Sequence, residues 1–129
     1  MFFKTISVTA DSQGFRNLEA FILGRDFTGY KSEKLLIVTS ELFENIVEHT
    51  DKIKQNRLVF RFLCRNPMGI LISYGAGFGF YMGNFLGNGI YFKDGAGRFG
   101  GIGTLLVKNL VHRVFYLFLF CQRFVFVIV

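Results

Sequence analysis

The segment from Arg57 to Arg65 constrains the fold of this chain more than any other, because apolar side chains occupy every second position along it. The apolar set is Leu58, Phe60, Phe62 and Cys64, and the opposing set includes Arg57, Arg61 and Arg65. Such alternation predicts a strand with one buried face. Asn66-Pro67-Met68-Gly69 has turn chemistry, so we expect Ile70 to Tyr74 to form the antiparallel partner.

Helical periodicity precedes this hairpin. A helix from Ser32 to about His49 or Thr50 is expected to turn one apolar stripe to the core. Its stripe is Leu35, Val38, Leu42 and Ile46. An earlier helix is predicted after a cap at Asp11 or Ser12, with Phe15, Leu18 and Ile22 on one side. A strand from Thr5 to Ala10 is expected to open the chain.

The C-terminal part predicts one more helix and two strands. The helix is expected from Thr104 to about Arg113, with Leu106, Leu110 and Val114 on one stripe. Two closing strands should flank a turn at Cys121-Gln122-Arg123. Together with 51% apolar residues and a single proline, the pattern predicts one domain over residues 1–129. Its class is α/β (α+β): a two-layer sandwich with a mixed, mostly antiparallel sheet and the helices on one face.

Composition narrows the function classes. Cys64 and Cys121 have neither metal-ligand spacing nor disulfide density, so buried free thiols are expected. The apolar residues from Val114 to Val129 are interrupted by Gln122 and Arg123, and neither piece is long enough to cross a bilayer. With no secretory signal, a cytoplasmic protein without membrane contact is expected. The net charge of +6 is spread without a basic block, so the sequence does not favour a nucleic-acid partner.

Polar residues share one face of the second helix, at the spacing i, i+4, i+7 and i+8. They are Glu41, Asn45, Glu48 and His49. A carboxylate and a carboxamide one turn apart can orient a hydroxyl and complete a magnesium shell. Taken alone, however, the stripe is more typical of a solvated helix face.

Glycine is concentrated in two clusters. Gly75 to Gly103 holds eleven of the fifteen glycines, a density typical of a binding loop or mobile cover. The first cluster is Ile72-Ser73-Tyr74-Gly75-Ala76-Gly77-Phe78-Gly79, in which the glycines directly follow a predicted strand. The second, Gly100-Gly101-Ile102-Gly103-Thr104, opens the third helix, where free backbone amides can hold an anion; a flexible hinge is the alternative.

These elements in this order resemble the GHKL ATPase superfamily, which has a Glu-x-x-x-Asn helix, a strand leading into Gly-x-Gly, a long lid and a Gly-x-Gly helix start. Ser40-Glu41-Leu42-Phe43-Glu44-Asn45-Ile46-Val47-Glu48-His49 is similar to the version in anti-sigma-factor serine/threonine kinases. Gly101-Ile102-Gly103-Thr104 resembles the second glycine box of that branch. The resemblance implies a Bergerat-type ATP-binding fold with a lid over about residues 75–103.

The resemblance also implies roles for individual residues. Glu41 would be the general base, and Asn45 would hold Mg²⁺ against the phosphates of ATP. The other cofactor-binding residues would be His49, Ser73, Gly75, Gly77, Gly101, Gly103 and Thr104. The implied partners are a sigma factor and an anti-anti-sigma protein of the STAS type, with a homodimer as the expected assembly. The implied activity is phosphorylation of a serine or threonine hydroxyl on that second partner.

Two departures from the family pattern open an alternative. The first glycine box of the family begins with an aspartate that accepts a hydrogen bond from adenine, and Ser73 stands in its place. The lid region is also rich in aromatic residues, Phe78, Phe80, Tyr81, Phe85, Tyr91 and Phe92, which either pack back on the domain or form a partner surface. The alternative is a degenerate GHKL domain with weak or no ATP binding that acts by protein interaction.

A third hypothesis is a phosphate-backbone binder that uses Arg57, Arg61 and Arg65.

Overall fold

A five-stranded sheet forms one layer of the protein, and every strand pair in it is antiparallel, in the order β1-β2-β3-β5-β4. A computed structural model describes residues 3–24, 32–50, 52–65, 67–75, 111, 113–119 and 121–129. The strands are β1 (Phe3–Thr9), β2 (Arg57–Leu63), β3 (Gly69–Gly75), β4 (Arg113–Leu119) and β5 (Gln122–Ile128). Two helices, α1 (Ser12–Gly24) and α2 (Ser32–His49), and a 3-10 turn (Lys54–Asn56) complete the described elements.

The helices cover one face of the sheet, as the sequence predicts. Alternate residues of β2 and β3 bury their side chains in one cluster with the apolar stripes of α1 and α2. Phenylalanine rings contact one another within and between the layers. The ring centroid of Phe43 in α2 lies 5.5 Å from that of Phe15 in α1 and 6.4 Å from that of Phe60 in β2. The two-layer α+β architecture with an antiparallel sheet is therefore confirmed in its coarse form.

Strand direction follows from the number of helices between strands. The chain leaves the end of β1, runs along α1 and back along α2, and enters β2 at the same edge of the sheet where β1 ended. β2 therefore runs antiparallel to β1. β4 runs in the direction of β3 but does not pair with it, because β5 lies between them. The predicted mixed sheet is wrong to that extent, since every pair among the described strands is antiparallel.

Two predicted boundaries near the C-terminus are also wrong. Arg113 and Val114 belong to β4 and pair with Ile128 and Val127, so the predicted third helix cannot extend to them. Their neighbours are aromatic and aliphatic residues that suit a pleated sheet better than a helix turn. The rest of that helix, 104–112 apart from residue 111, lies outside the described residues.

The β4–β5 turn is tighter than the sequence predicts. Gln122 and Arg123 already pair with Leu119 and Phe118, so both belong to β5 and not to the turn. Only residues 120 and 121 remain to connect the strands, as in the shortest common hairpins.

Asp11 starts α1 and fixes its position against β1. Its Oδ1 accepts a hydrogen bond from the backbone N–H of Gly14 at 2.8 Å, which confirms the predicted cap. The hydroxyl of Thr9 donates to the same oxygen at 2.6 Å. Both hydrogen bonds favour the ionised carboxylate, and they lower the pKa of Asp11.

Gly14 is the position where α1 comes closest to β1. A Cβ atom at Gly14 would overlap the carbonyl oxygen of Thr9, whereas a Cβ atom at Gly24 would have no heavy atom within 4 Å. The two glycines belong to the same helix, so they make a matched pair for a stability test.

We predict that Gly14→Ala destabilises the protein by about 1–3 kcal/mol or more, because α1 must move away from Thr9 to admit the methyl group. Gly24→Ala is expected to be neutral or stabilising by up to about 1 kcal/mol, since alanine is the better helix former. Urea unfolding followed by circular dichroism measures both. Equal midpoints for the two variants would contradict the close approach of α1 to β1.

Candidate functional site

The candidate site begins on α2, whose polar residues lie along one flank of the helix. At 3.6 residues per turn, Asn45 lies about 60° from Leu42 around the helix axis, on the side away from Phe43. Phe43 faces Phe15 of α1, so Glu41 and Asn45 face away from α1. Since α1 packs against the edge strand β1, this flank of α2 is turned toward the β5–β4 half of the sheet.

Burial along this flank is graded. Asn45 is 7% exposed, Glu41 and His49 are half-buried, and Glu48 is exposed. The interpretation as a solvated face therefore fits Glu48 and is wrong for Asn45. A buried carboxamide carries polar atoms that need partners, and such a group is costly unless the fold or a ligand satisfies it.

Glu41 has an altered proton affinity. Partial burial is the main cause that raises its pKa above the ordinary glutamate value, and repulsion from Glu44 adds to it. A carboxylate whose charged form is disfavoured binds a proton more strongly than an ordinary one. That is the change expected of a general base, although a half-buried structural glutamate would show it as well.

Ser73 does not share this environment. It is paired with Val59 and Phe124, on the sheet face opposite to the helices. Its Oγ accepts a hydrogen bond from Nη1 of Arg61 at 3.2 Å. The structure therefore does not bring Ser73 together with Glu41 and Asn45.

Tyr74, the neighbour of Ser73, points into the helix face instead and forms a buried polar cluster with Thr50 and Arg123. Thr50 follows α2, Tyr74 is near the end of β3, and Arg123 is near the start of β5 and only 2% exposed. Burial raises the pKa of Tyr74 to about 12, against the opposing effects of the Thr50 hydroxyl and the Arg123 guanidinium. Burial likewise lowers the pKa of Arg123.

Sequence reasoning missed this cluster. The alternation that buries Ile70 and Ile72 also buries Tyr74, and the alternation that buries Val125 and Val127 also buries Arg123. The predicted strand Ile70 to Tyr74 already contains Tyr74, so extending the last strand back to Arg123 is enough to reveal the cluster. The sequence pattern instead assigns Arg123 to the turn.

The glycine residues of the candidate site are described only in part. Gly75 ends β3, and a Cβ atom there would lie 3.0–3.3 Å from the side chain of Lys54. A lysine side chain can move, so this contact does not by itself require glycine. Gly77, Gly101, Gly103 and Thr104 lie outside the described residues, as do the aromatic residues of the predicted lid.

A groove of about 500 Å³ lies on the other side of α2, between α2 and the start of α1. It is lined by Asp11, Ser12, Phe15, Arg16, Phe43, Glu44, Val47 and Glu48. Neither Glu41 nor Asn45 lines it, so this groove is not the nucleotide site that the sequence implies.

Magnesium would have to be held here by few protein ligands. Among the described residues, no group of three or more His, Cys, Asp or Glu side chains is placed to hold a metal ion. Magnesium commonly keeps several waters and takes one or two protein oxygens beside substrate phosphates, so the Asn45 carboxamide with Glu41 nearby fits this mode. The adenine contact implied for Ser73 does not fit, because Ser73 lies on the other face of the sheet.

Comparison with known proteins does not add a family. No protein-family model matches the chain, and no curated protein is significantly similar to it. Within the part of the chain that the structure describes, no helix is long and apolar enough to cross a membrane.

Glu41→Gln tests the environment of the candidate base. The raised pKa means that folding favours the neutral carboxyl, so the ionised form costs stability as pH rises through the folded pKa. Glu41→Gln is therefore expected to raise the melting temperature at pH 7, and this gain should shrink as the pH falls through the raised folded pKa and be lost below the ordinary glutamate pKa of 4.5. Thermal melts from pH 3.5 to about pH 7 measure it.

Glu33→Gln is the control, because Glu33 is an exposed glutamate in the first turn of the same helix. There the negative charge favours the helix, so its removal should lower the melting temperature at pH 7. A Glu41→Gln variant that behaves like Glu33→Gln would show that the Glu41 carboxylate is stabilised rather than disfavoured.

Proposed function

We propose that this chain is an ATP-binding, anti-sigma-factor-like serine/threonine protein kinase. The observation that carries the proposal is the α2 flank, where a buried Asn45 lies one turn from a half-buried Glu41 with a raised pKa. A carboxylate and a carboxamide one helical turn apart are the pair to which the family resemblance assigns the general base and the magnesium ligand. The partners proposed with this activity are a sigma factor and a STAS-type anti-anti-sigma protein, and the proposed setting is a cytoplasmic homodimer.

In the proposed reaction, Glu41 would accept the proton of a serine hydroxyl on the partner protein while the serine oxygen forms a bond to the terminal phosphorus of ATP. The bond between that phosphorus and its bridging oxygen would break at the same time, and ADP would leave. Asn45 would hold Mg²⁺ beside the phosphates through its carboxamide oxygen. ATP and Mg²⁺, when bound, supply the phosphoryl group and the neutralising charge. Because its pKa is raised, the ionised form of Glu41 is a stronger base than an ordinary glutamate carboxylate.

A second candidate is the degenerate domain that binds a protein partner without chemistry. The outward position of Ser73 and its hydrogen bond to Arg61 favour it, because no residue then replaces the adenine-binding aspartate of the family. The buried Tyr74–Arg123 cluster also brings a bulky phenol and a guanidinium to the end of β3, where the glycine-rich segment begins. The phenol of Tyr74 and the guanidinium of Arg123 would have to leave space for the planar base of a nucleotide bound at the end of β3.

Calorimetric titration with Mg-ATP tests the kinase proposal. We expect measurable heat, and we expect Asn45→Ala to weaken binding about tenfold or more, since the variant loses a polar contact with a charged metal–phosphate group. Asn17→Ala is the control, because Asn17 is an exposed asparagine on α1. Absence of heat at millimolar nucleotide would remove the kinase proposal and leave the degenerate domain.

Ser73→Asp distinguishes the two faces of the sheet. On the outer face the new carboxylate would pair with Arg61, so nucleotide affinity is expected to stay within about twofold of the parent protein. A large gain in affinity would mean that residue 73 reaches the nucleotide, which its described position does not allow.

A further inference from the structure

The face of the sheet that the helices leave uncovered combines positive charge with aromatic surface. Strand pairing places alternate residues of all five strands on this outer face. Its charged members are Arg57, Arg61 and Arg113, and among the described strand residues it contains no Asp or Glu. The outer face is therefore complementary to an anionic partner.

Apolar residues occupy much of the outer face on β5 and β4. Phe115 and Leu117 of the edge strand β4 are 47% and 58% exposed. The ring of Phe115 lies 6.3 Å from that of Phe126, and the ring of Phe126 lies against Gly69, where no side chain separates it from the β3 backbone. Phe124, beside Ser73, extends this surface. Aromatic rings on the open face of a sheet provide stacking surfaces for planar groups.

The arginines border this aromatic area on its β2 side. Arg57 donates from Nη1 to Ser7 at 3.2 Å, and Arg61 donates from Nη1 to Ser73 at 3.2 Å. Each bond orients a guanidinium that has further N–H donors for phosphate oxygens. Arg61 lies in the same row as Phe126, two strands away, or about 10 Å at ordinary strand spacing.

We propose that the outer face binds single-stranded nucleic acid, with phosphates on Arg57 and Arg61 and unpaired bases stacked on Phe115 and Phe126. Aromatic rings beside arginines are the combination that sequence-tolerant single-strand binding uses. A duplex hides the faces of its bases, so it could use the arginines but not the rings. A second copy would bring together two faces that carry arginines and, among the described strand residues, no carboxylates, and charge repulsion disfavours that arrangement.

This site does not depend on the proposed kinase. It lies on the opposite side of the sheet from α2, and its residues take no part in the Glu41–Asn45 flank. The sequence supports a phosphate-backbone binder only as a third hypothesis, on Arg57, Arg61 and Arg65. In the structure Arg65 lies beyond the end of β2, so only two of these arginines belong to the strand. What changes the interpretation is the sheet order, which brings phenylalanines from the far end of the chain beside those two arginines.

Fluorescence anisotropy with a labelled oligothymidylate of about 15 nucleotides tests the proposal. Phe115→Ala and Arg61→Gln are each expected to weaken binding about tenfold, and Arg61→Gln should lower the slope of log affinity against log salt by about 0.7. The controls remove the same kinds of group from α1: Leu23→Ala removes an exposed apolar side chain and Arg16→Gln an exposed arginine. Both controls should bind within about twofold of the parent protein. Phe115 is exposed, so its variant should fold, and thermal melting verifies this.

Three results would overturn the proposal. The first is no binding at low salt. The second is equal binding of duplex and single strand together with equal losses for Arg61→Gln and Arg16→Gln, which would indicate diffuse attraction by the net charge alone. The third is a concentration-dependent dimer in sedimentation equilibrium that Phe115→Asp dissociates, which would show that a second copy covers the outer face.

Discussion

The alternation along β2 is the constraint on which the rest of the structure depends. Leu58, Phe60 and Phe62 are fully buried against the helices, so Arg57 and Arg61 must point the other way. Paired residues of neighbouring strands lie on the same face of the sheet, so the orientation of β2 fixes the orientation of the other strands. A slip by one residue in any pair would expose a row of phenylalanine and isoleucine side chains and bury arginines, at a cost far above the few kcal/mol of net stability of a domain this size.

The same alternation decides which residues can reach a ligand on the helix side. Ser73 and Tyr74 are neighbours in sequence, yet one lies beside Arg61 on the outer face and the other lies beneath the end of α2. A resemblance based on motif letters assigns the adenine contact to Ser73, whereas the sheet presents Tyr74 to that side. Motif spacing and strand alternation are independent constraints, and here they select different residues.

Local patterns were sufficient to predict much of the fold. The bounds of α2, the Asp11 cap, the buried face of β2 and the β2–β3 hairpin all follow from periodicity and turn chemistry over fewer than twenty residues. The predicted end of the third helix is wrong because Val114 fits a helical stripe as well as it fits a strand. Only its pairing with Val127 decides between the two. The burial of Asn45 and the Tyr74–Arg123 contact were also beyond reach, because both depend on elements that are distant in sequence.

The two proposed activities place opposite demands on the molecule. Glu41 and Asn45 lie on a helix flank where burial disfavours charge, so a charged ligand there must offset a cost of desolvation. Arg57 and Phe115 lie on an open sheet where each contact is worth little alone and affinity must come from several contacts along a chain. The sheet separates these environments, and α1 and α2 pack on only one side of it. Substitutions on one face should therefore leave the other unchanged, since sites without shared contacts are usually independent in energy.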